Sequence, residues 1–88
     1  MDDFNEICSI ISKMTKGEDV CAFLSEIFTE PEILTLSRRW RILKMLNLGC
    51  TQRDIVKKLN VSLCNVTRGA KLLKKQDAVV TKYLVKEK

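Results

Sequence analysis

The chain has 88 residues, of which 16 are Lys or Arg and 11 are Asp or Glu, for a net charge of +5 with no His. Without His there is no Ser-His-Asp or Cys-His catalysis and no His-ligated metal. The apolar runs are too short to cross a bilayer, so no membrane partner is expected.

An apolar content of 45% suits a single folded domain over residues 1–88 rather than a disordered tail, and 3 Gly with 1 Pro leave few helix breakers. A chain this short buries a limited core, so a second copy of itself is the expected source of further burial. The acidic start, Met1-Asp2-Asp3-Phe4-Asn5-Glu6, has the wrong sign for a secretory signal. Cys8, Cys21, Cys50 and Cys64 form no C-x-x-C pair. They are read as free thiols acting as small apolar residues in a reducing cytoplasm, with a four-thiol zinc site as the alternative.

Residues 2–15 form the first predicted helix, with Phe4, Ile7, Cys8, Ile11 and Met14 at helical spacing and Gly17 as its stop. Residues 18–28 form a second, apolar at Val20, Phe23, Leu24, Ile27 and Phe28. Thr29-Glu30-Pro31-Glu32 is a capping box with Pro in the first turn, opening a third helix that runs to about Leu48, before Gly49. Thr51-Gln52-Arg53-Asp54 caps a short helix ending near Leu59. Asn60-Val61-Ser62 is a tight turn in which Asn tolerates the left-handed conformation, and Ser62 caps the next helix, to about Lys75. Asp77 is expected to cap a last helix over 77–88, with Val80, Leu84 and Val85 facing inward. The expected class is all-α with six helices.

Residues 52–68 match a helix-turn-helix. Ile55 and Leu59 face inward from the first helix, Val61 plugs the turn, and Val66, Ala70 and Leu73 form the inner stripe of the second. Two core helices with a polar face are the alternative. Cys64, Asn65, Arg68, Lys71 and Lys75 lie away from the Val66 stripe at about 100° per residue. The early ones are placed for base edges and the lysines for phosphates. Leu63 and Cys64 are poor hydrogen-bond partners for bases, so thymine methyls, water and DNA shape are expected to carry more of the readout.

Charge supports the same reading. Residues 1–37 hold eight acids and two bases, a net −6, while residues 38–88 hold fourteen bases and three acids, a net +11. Such segregation fits a basic half that meets a polyanion, or a solvated lysine surface.

Two residues are oddly placed. Gly69 interrupts the second helix of the pair, either for close helix packing or to leave room for a flat ligand. Arg39 lies on an apolar arc with Leu36, Ile42 and Leu43, where its guanidinium can snorkel to solvent, stack on an aromatic ligand or bind a carboxylate.

Together these residues resemble the bacterial tryptophan repressor family. The similarity is carried by Thr29 to Glu32, Arg39-Trp40-Arg41-Ile42, Gly49-Cys50-Thr51-Gln52-Arg53-Asp54-Ile55, Val66-Thr67-Arg68-Gly69 and Leu73-Lys74. It covers about residues 20–75, and the Thr-Arg-Gly run is its most specific piece.

The resemblance implies an intertwined homodimer, with residues 1–48 as dimerisation helices, 51–75 as helix-turn-helix and 77–88 as C-terminal helix. It implies repression of transcription on double-stranded operator DNA with L-tryptophan as corepressor and no metal. Arg39 and Arg68 would sandwich the indole, Gly69 would leave space beside it, and Asn65 and Leu72 would border the pocket. Backbone carbonyls near Glu26, Phe28 and Thr29 of the second copy would accept the ligand ammonium. Gln52, Arg53, Leu63, Cys64, Asn65, Thr67, Lys71 and Lys74 would meet DNA.

The sequence departs from the best-known members at Leu72, where they carry Ser, at Asn65, where they carry Thr, and in a spacing one residue shorter between Gly49 and Thr51. The readings that remain beside this one are a ligand-independent relative that binds DNA constitutively and a basic dimeric protein-interaction module. No cluster of acids, bases and nucleophiles points to an enzyme.

Overall fold

A computed structural model of the chain describes residues 2–84. Among these residues five α-helices follow one another and no strand occurs: α1 Asp3–Ser12, α2 Gly17–Ile27, α3 Glu30–Asn47, α4 Gln52–Leu59 and α5 Leu63–Lys74. A 3-10 turn, Val79–Lys82, ends the series. The described residues fall into two compact units, with the boundary along the chain between Ile33 and Leu34.

Local chemistry sets most of these ends. Asp2 caps α1 by accepting from the Phe4 N–H at 3.0 Å. Before α3 the capping box is reciprocal: the Thr29 N–H donates to Glu32 Oε1 at 2.9 Å, and the Glu32 N–H donates to Thr29 Oγ1 at 3.3 Å. Gly49, with φ +94°, closes α3. Its N–H donates to the Leu46 carbonyl, and the Cys50 N–H donates to the Met45 carbonyl, both at 3.0 Å, the paired bonds of a Schellman motif. Thr51 and Ser62 cap α4 and α5 by accepting from the Asp54 N–H at 3.1 Å and the Asn65 N–H at 3.3 Å. Between those helices Asn60 is left-handed, φ 53° and ψ 49°.

In the unit that begins at Leu34, the core is centred on Ile42 (2% exposed), Ile55 (0%) and Val66 (0%), one residue from each of α3, α4 and α5. Met45, Leu46, Cys50, Val56, Leu59 and Val61 pack around them. In the unit that ends at Ile33, no described residue is buried, although α1 and α2 are both amphipathic.

The structure corrects several expectations. Helix α1 ends at Ser12, short of 15; the Ser12 hydroxyl donates to the Ser9 carbonyl at 2.7 Å, a side-chain bond that competes with helix continuation. Gly17 does not stop α1 but begins α2, with no positive φ. A glycine marks a helix end only where the left-handed conformation is used, and here it is not. The sixth helix is replaced, over its described part, by the short 3-10 turn with Ala78 rather than Asp77 at its cap position. Ala78 and Leu84 are buried and Val80 is half-buried, so the inward set holds without an α-helix, while Val85 lies outside the described residues. Of the cysteines, all free, only Cys50 packs with the core; Cys8, Cys21 and Cys64 are exposed.

Candidate functional site

The α4–turn–α5 segment displays basic and polar side chains because its apolar positions are used inward. Ile55 and Val66 occupy the core with Val56, Leu59 and Val61 packed against it, and the polar residues on the opposite helix faces, Arg53, Lys57, Lys58, Cys64 and Asn65 among them, are exposed. Leu63, Cys64, Thr67, Arg68 and Lys71 line one shallow outward groove of about 410 Å³. Arg53 and Lys74 are exposed, in the first turn of α4 and the last turn of α5.

Gln52 behaves differently. It is half-buried, and its Oε1 accepts a hydrogen bond from Thr67 Oγ1 at 3.2 Å. Two residues expected to meet DNA independently are thus joined to each other.

A larger cavity, of about 550 Å³, opens between α3 and α5. Five of the expected ligand residues, Arg39, Asn65, Arg68, Gly69 and Leu72, line it together. Its apolar floor is Ile42 and Leu43, three and four residues beyond Arg39. Gly69 is buried there, and a Cβ added to it would lie 3.2 Å from Ile42 Cγ2 and 3.3 Å from Leu46 Cδ1. The glycine therefore serves close approach of α5 to α3 and also shapes the cavity wall.

Lys71 and Lys75 complete the lining, at three and seven residues beyond Arg68. Sequence reading placed both only toward phosphates; the helical spacing from Arg68 was the available sign of a shared face. Arg68 and Lys71 border both the cavity and the outward groove. Asn65 also borders a smaller cleft of about 230 Å³ at the α4–α5 turn, lined in part by Arg38 and Ser62.

Glu26, Phe28 and Thr29 belong to the other unit; Glu26 and Thr29 are exposed and Phe28 is half-buried. The Thr29 carbonyl accepts from the Ile33 N–H at 3.0 Å in the first turn of α3, leaving one lone pair for any other donor.

Among the described residues no three Cys, Asp or Glu side chains gather to hold a metal ion, and no helix is long and apolar enough to cross a membrane. No buried side-chain polar atom among them lacks a hydrogen-bond partner.

The family model described as Trp repressor protein matches residues 2–88. A Trp operon repressor homolog of Xylella fastidiosa strain M23 is 34% identical over 85 residues, 96% of this chain and 90% of the relative. A Trp operon repressor homolog of Chlamydia trachomatis serovar L2 is 32% identical over 80 residues, 90% of this chain and 85% of the relative. No solved structure gives a significant match. The chain belongs to the Trp repressor family, a family of transcriptional regulators and not of enzymes.

Proposed function

We propose that the chain is a sequence-specific DNA-binding repressor of the cytoplasm, acting as a homodimer and activated by L-tryptophan or a related small aromatic. The observation that carries this reading is the sharing of Arg68 and Lys71 between the α3–α5 cavity and the outward groove of α5. A ligand in the cavity touches the same side chains that border the helix face offered to DNA.

In this reading α4 and α5 are a helix-turn-helix, and α5 enters the major groove. Leu63, Cys64, Asn65 and Thr67 meet base edges, with Gln52 acting through Thr67, and Arg53, Lys71 and Lys74 meet phosphates. The indole lies between Arg39 and Arg68 above Ile42 and Leu43. Leu72 and Asn65 close the sides, and carbonyls near Glu26, Phe28 and Thr29 of the second copy accept the ammonium. Residues 1–48 dimerise and 51–75 read DNA. The lack of any buried residue among the described residues of the unit ending at Ile33 supports the dimer, since amphipathic helices bury an apolar face against something. Ligand binding favours the arrangement in which two copies of α5 stand about one DNA turn apart, about 34 Å. It acts by population shift, through a higher affinity for that state.

The test is DNA affinity measured against salt, with and without L-tryptophan. The expected result is a steep fall in affinity with rising salt, because phosphate contacts release counterions, and a gain in affinity with ligand. Steep salt dependence with no ligand effect would point to a constitutive relative. Affinity for DNA that is flat with salt would point instead to a protein-interaction module.

A further inference from the structure

We infer that the cleft between α3 and the α4–α5 turn seats a phosphate of the DNA backbone, with Arg38 as its main ligand. Helix α3 is then a third DNA-contacting element beside α4 and α5. The inference rests on the reading of the chain as a DNA-binding protein. The cleft has a volume of about 230 Å³, and Arg38, Arg39, Asn60, Ser62 and Asn65 border it around Ile42. Arg38 lines neither the α3–α5 cavity nor the outward groove of α5.

The lining decides the charge of the occupant. Two neighbouring guanidiniums border one small volume, and no Asp or Glu is among its described lining residues, so an anion there meets only opposite charge. Ser62 Oγ accepts from the Asn65 N–H at 3.3 Å, which leaves its own O–H proton to donate. Ser62 is also the N-cap of α5, where the first N–H groups have no intrahelical partner and carry the positive end of the helix dipole. Asn60, with φ 53° and ψ 49°, turns the chain at the end of α4 and adds a side-chain amide to the same cleft. A forked guanidinium with hydroxyl and amide donors beside it is a set suited to a phosphate group.

Size and position decide where that phosphate comes from. Small-molecule sites begin at about 300 Å³, so this cleft holds one group of a larger molecule rather than a whole ligand. Ser62 opens α5, and the next two residues, Leu63 and Cys64, line the groove offered to DNA. A duplex seated on that groove carries its backbone past the start of α5, where a phosphate contact fixes the orientation of the protein on the duplex.

The test is the affinity of the full chain for a mixed-sequence duplex, measured by fluorescence anisotropy across a salt series with L-tryptophan present. Arg38→Gln is expected to weaken binding at least fivefold and to shrink the slope of log affinity against log salt by about 0.9 per subunit. Lys44→Gln removes the same charge from an exposed position of α3 outside the cleft and is expected to change affinity less than twofold. Ser62→Asp keeps an N-cap acceptor for α5 but adds an anion to the cleft. It is expected to leave Tm unlowered, to weaken DNA binding at least tenfold alone, and to weaken it less than threefold when combined with Arg38→Gln. Inorganic phosphate at millimolar concentration and constant ionic strength is expected not to displace the duplex.

Equal losses from Arg38→Gln and Lys44→Gln would show a general charge effect and overturn the inference. So would an unchanged salt slope in Arg38→Gln, additive losses in the double variant, or displacement of the duplex by inorganic phosphate. Salt-steep binding by the unmodified chain that Arg38→Gln leaves intact removes the inference alone. Binding by the unmodified chain that is flat with salt removes the repressor reading and the inference with it.

Discussion

Thr67 Oγ1 donates a hydrogen bond to Gln52 Oε1 at 3.2 Å, tying the first residue of α4 to the outward face of α5. Both side chains are half-buried. Thr67→Val and Gln52→Ala are each expected to lower stability by about 1 kcal/mol, the usual net worth of such a bond. The double variant is expected to cost less than the sum, because one bond is lost once. Additive losses in thermal unfolding would show that the two residues act independently.

Gly69→Ala sets helix propensity against packing. Ala is favoured over Gly by about 1 kcal/mol in a helix interior. Here the new methyl would sit 3.2 Å from Ile42 Cγ2 and 3.3 Å from Leu46 Cδ1. Ile42 is a buried, β-branched core residue with little freedom to move aside. Overpacking of this kind costs about 1–3 kcal/mol, so the packing term is expected to win and the variant to unfold at lower temperature. A raised Tm would show that α5 can slide away from α3.

Asn60 is the one described non-glycine residue with positive φ. Asn60→Ala is expected to cost about 1 kcal/mol through backbone strain, while Asn60→Gly is expected to be nearly neutral. Equal losses in denaturant unfolding would locate the role of Asn60 in its side chain instead.

If α5 tracks DNA, Lys74→Ala removes one phosphate contact. Affinity is then expected to fall to a similar extent on all DNA sequences, and the slope of log affinity against log salt to shrink by about 0.9. Arg68→Ala is expected to abolish the ligand effect on DNA binding. A ligand effect that survives Arg68→Ala would move the corepressor site elsewhere.

Phe4 and Ile27 are exposed by 67% and 51%, in a unit with no buried residue among those described. If a second copy covers them, replacing both by Ser is expected to weaken dimerisation at least tenfold, read by light scattering across a dilution series. Unchanged mass at every dilution would leave those faces to solvent.

The residues alone determined where most helices begin and how α3 and α4 end, because those signals are local. A side-chain oxygen at Thr29, Thr51 or Ser62 reaches an N–H only three residues away, and the left-handed backbone at Gly49 and Asn60 is a property of those residues. The inward set of Ile55 and Val66 follows in the same way from a 3.6-residue period. Gly17 reads as a helix stop but opens α2, because a glycine marks a helix end only when its φ is positive, which nothing nearby demands. The expected last helix does not form over its described part, because Val80 within the 3-10 turn and Leu84 just beyond it reach inward positions without an α-helix. The Thr67–Gln52 bond, the contact of Gly69 with Ile42 and the convergence of Lys71 and Lys75 on the Arg39 cavity came only with the tertiary structure. Each joins residues fifteen or more apart, and their distance is set by how helices pack, which no local preference encodes.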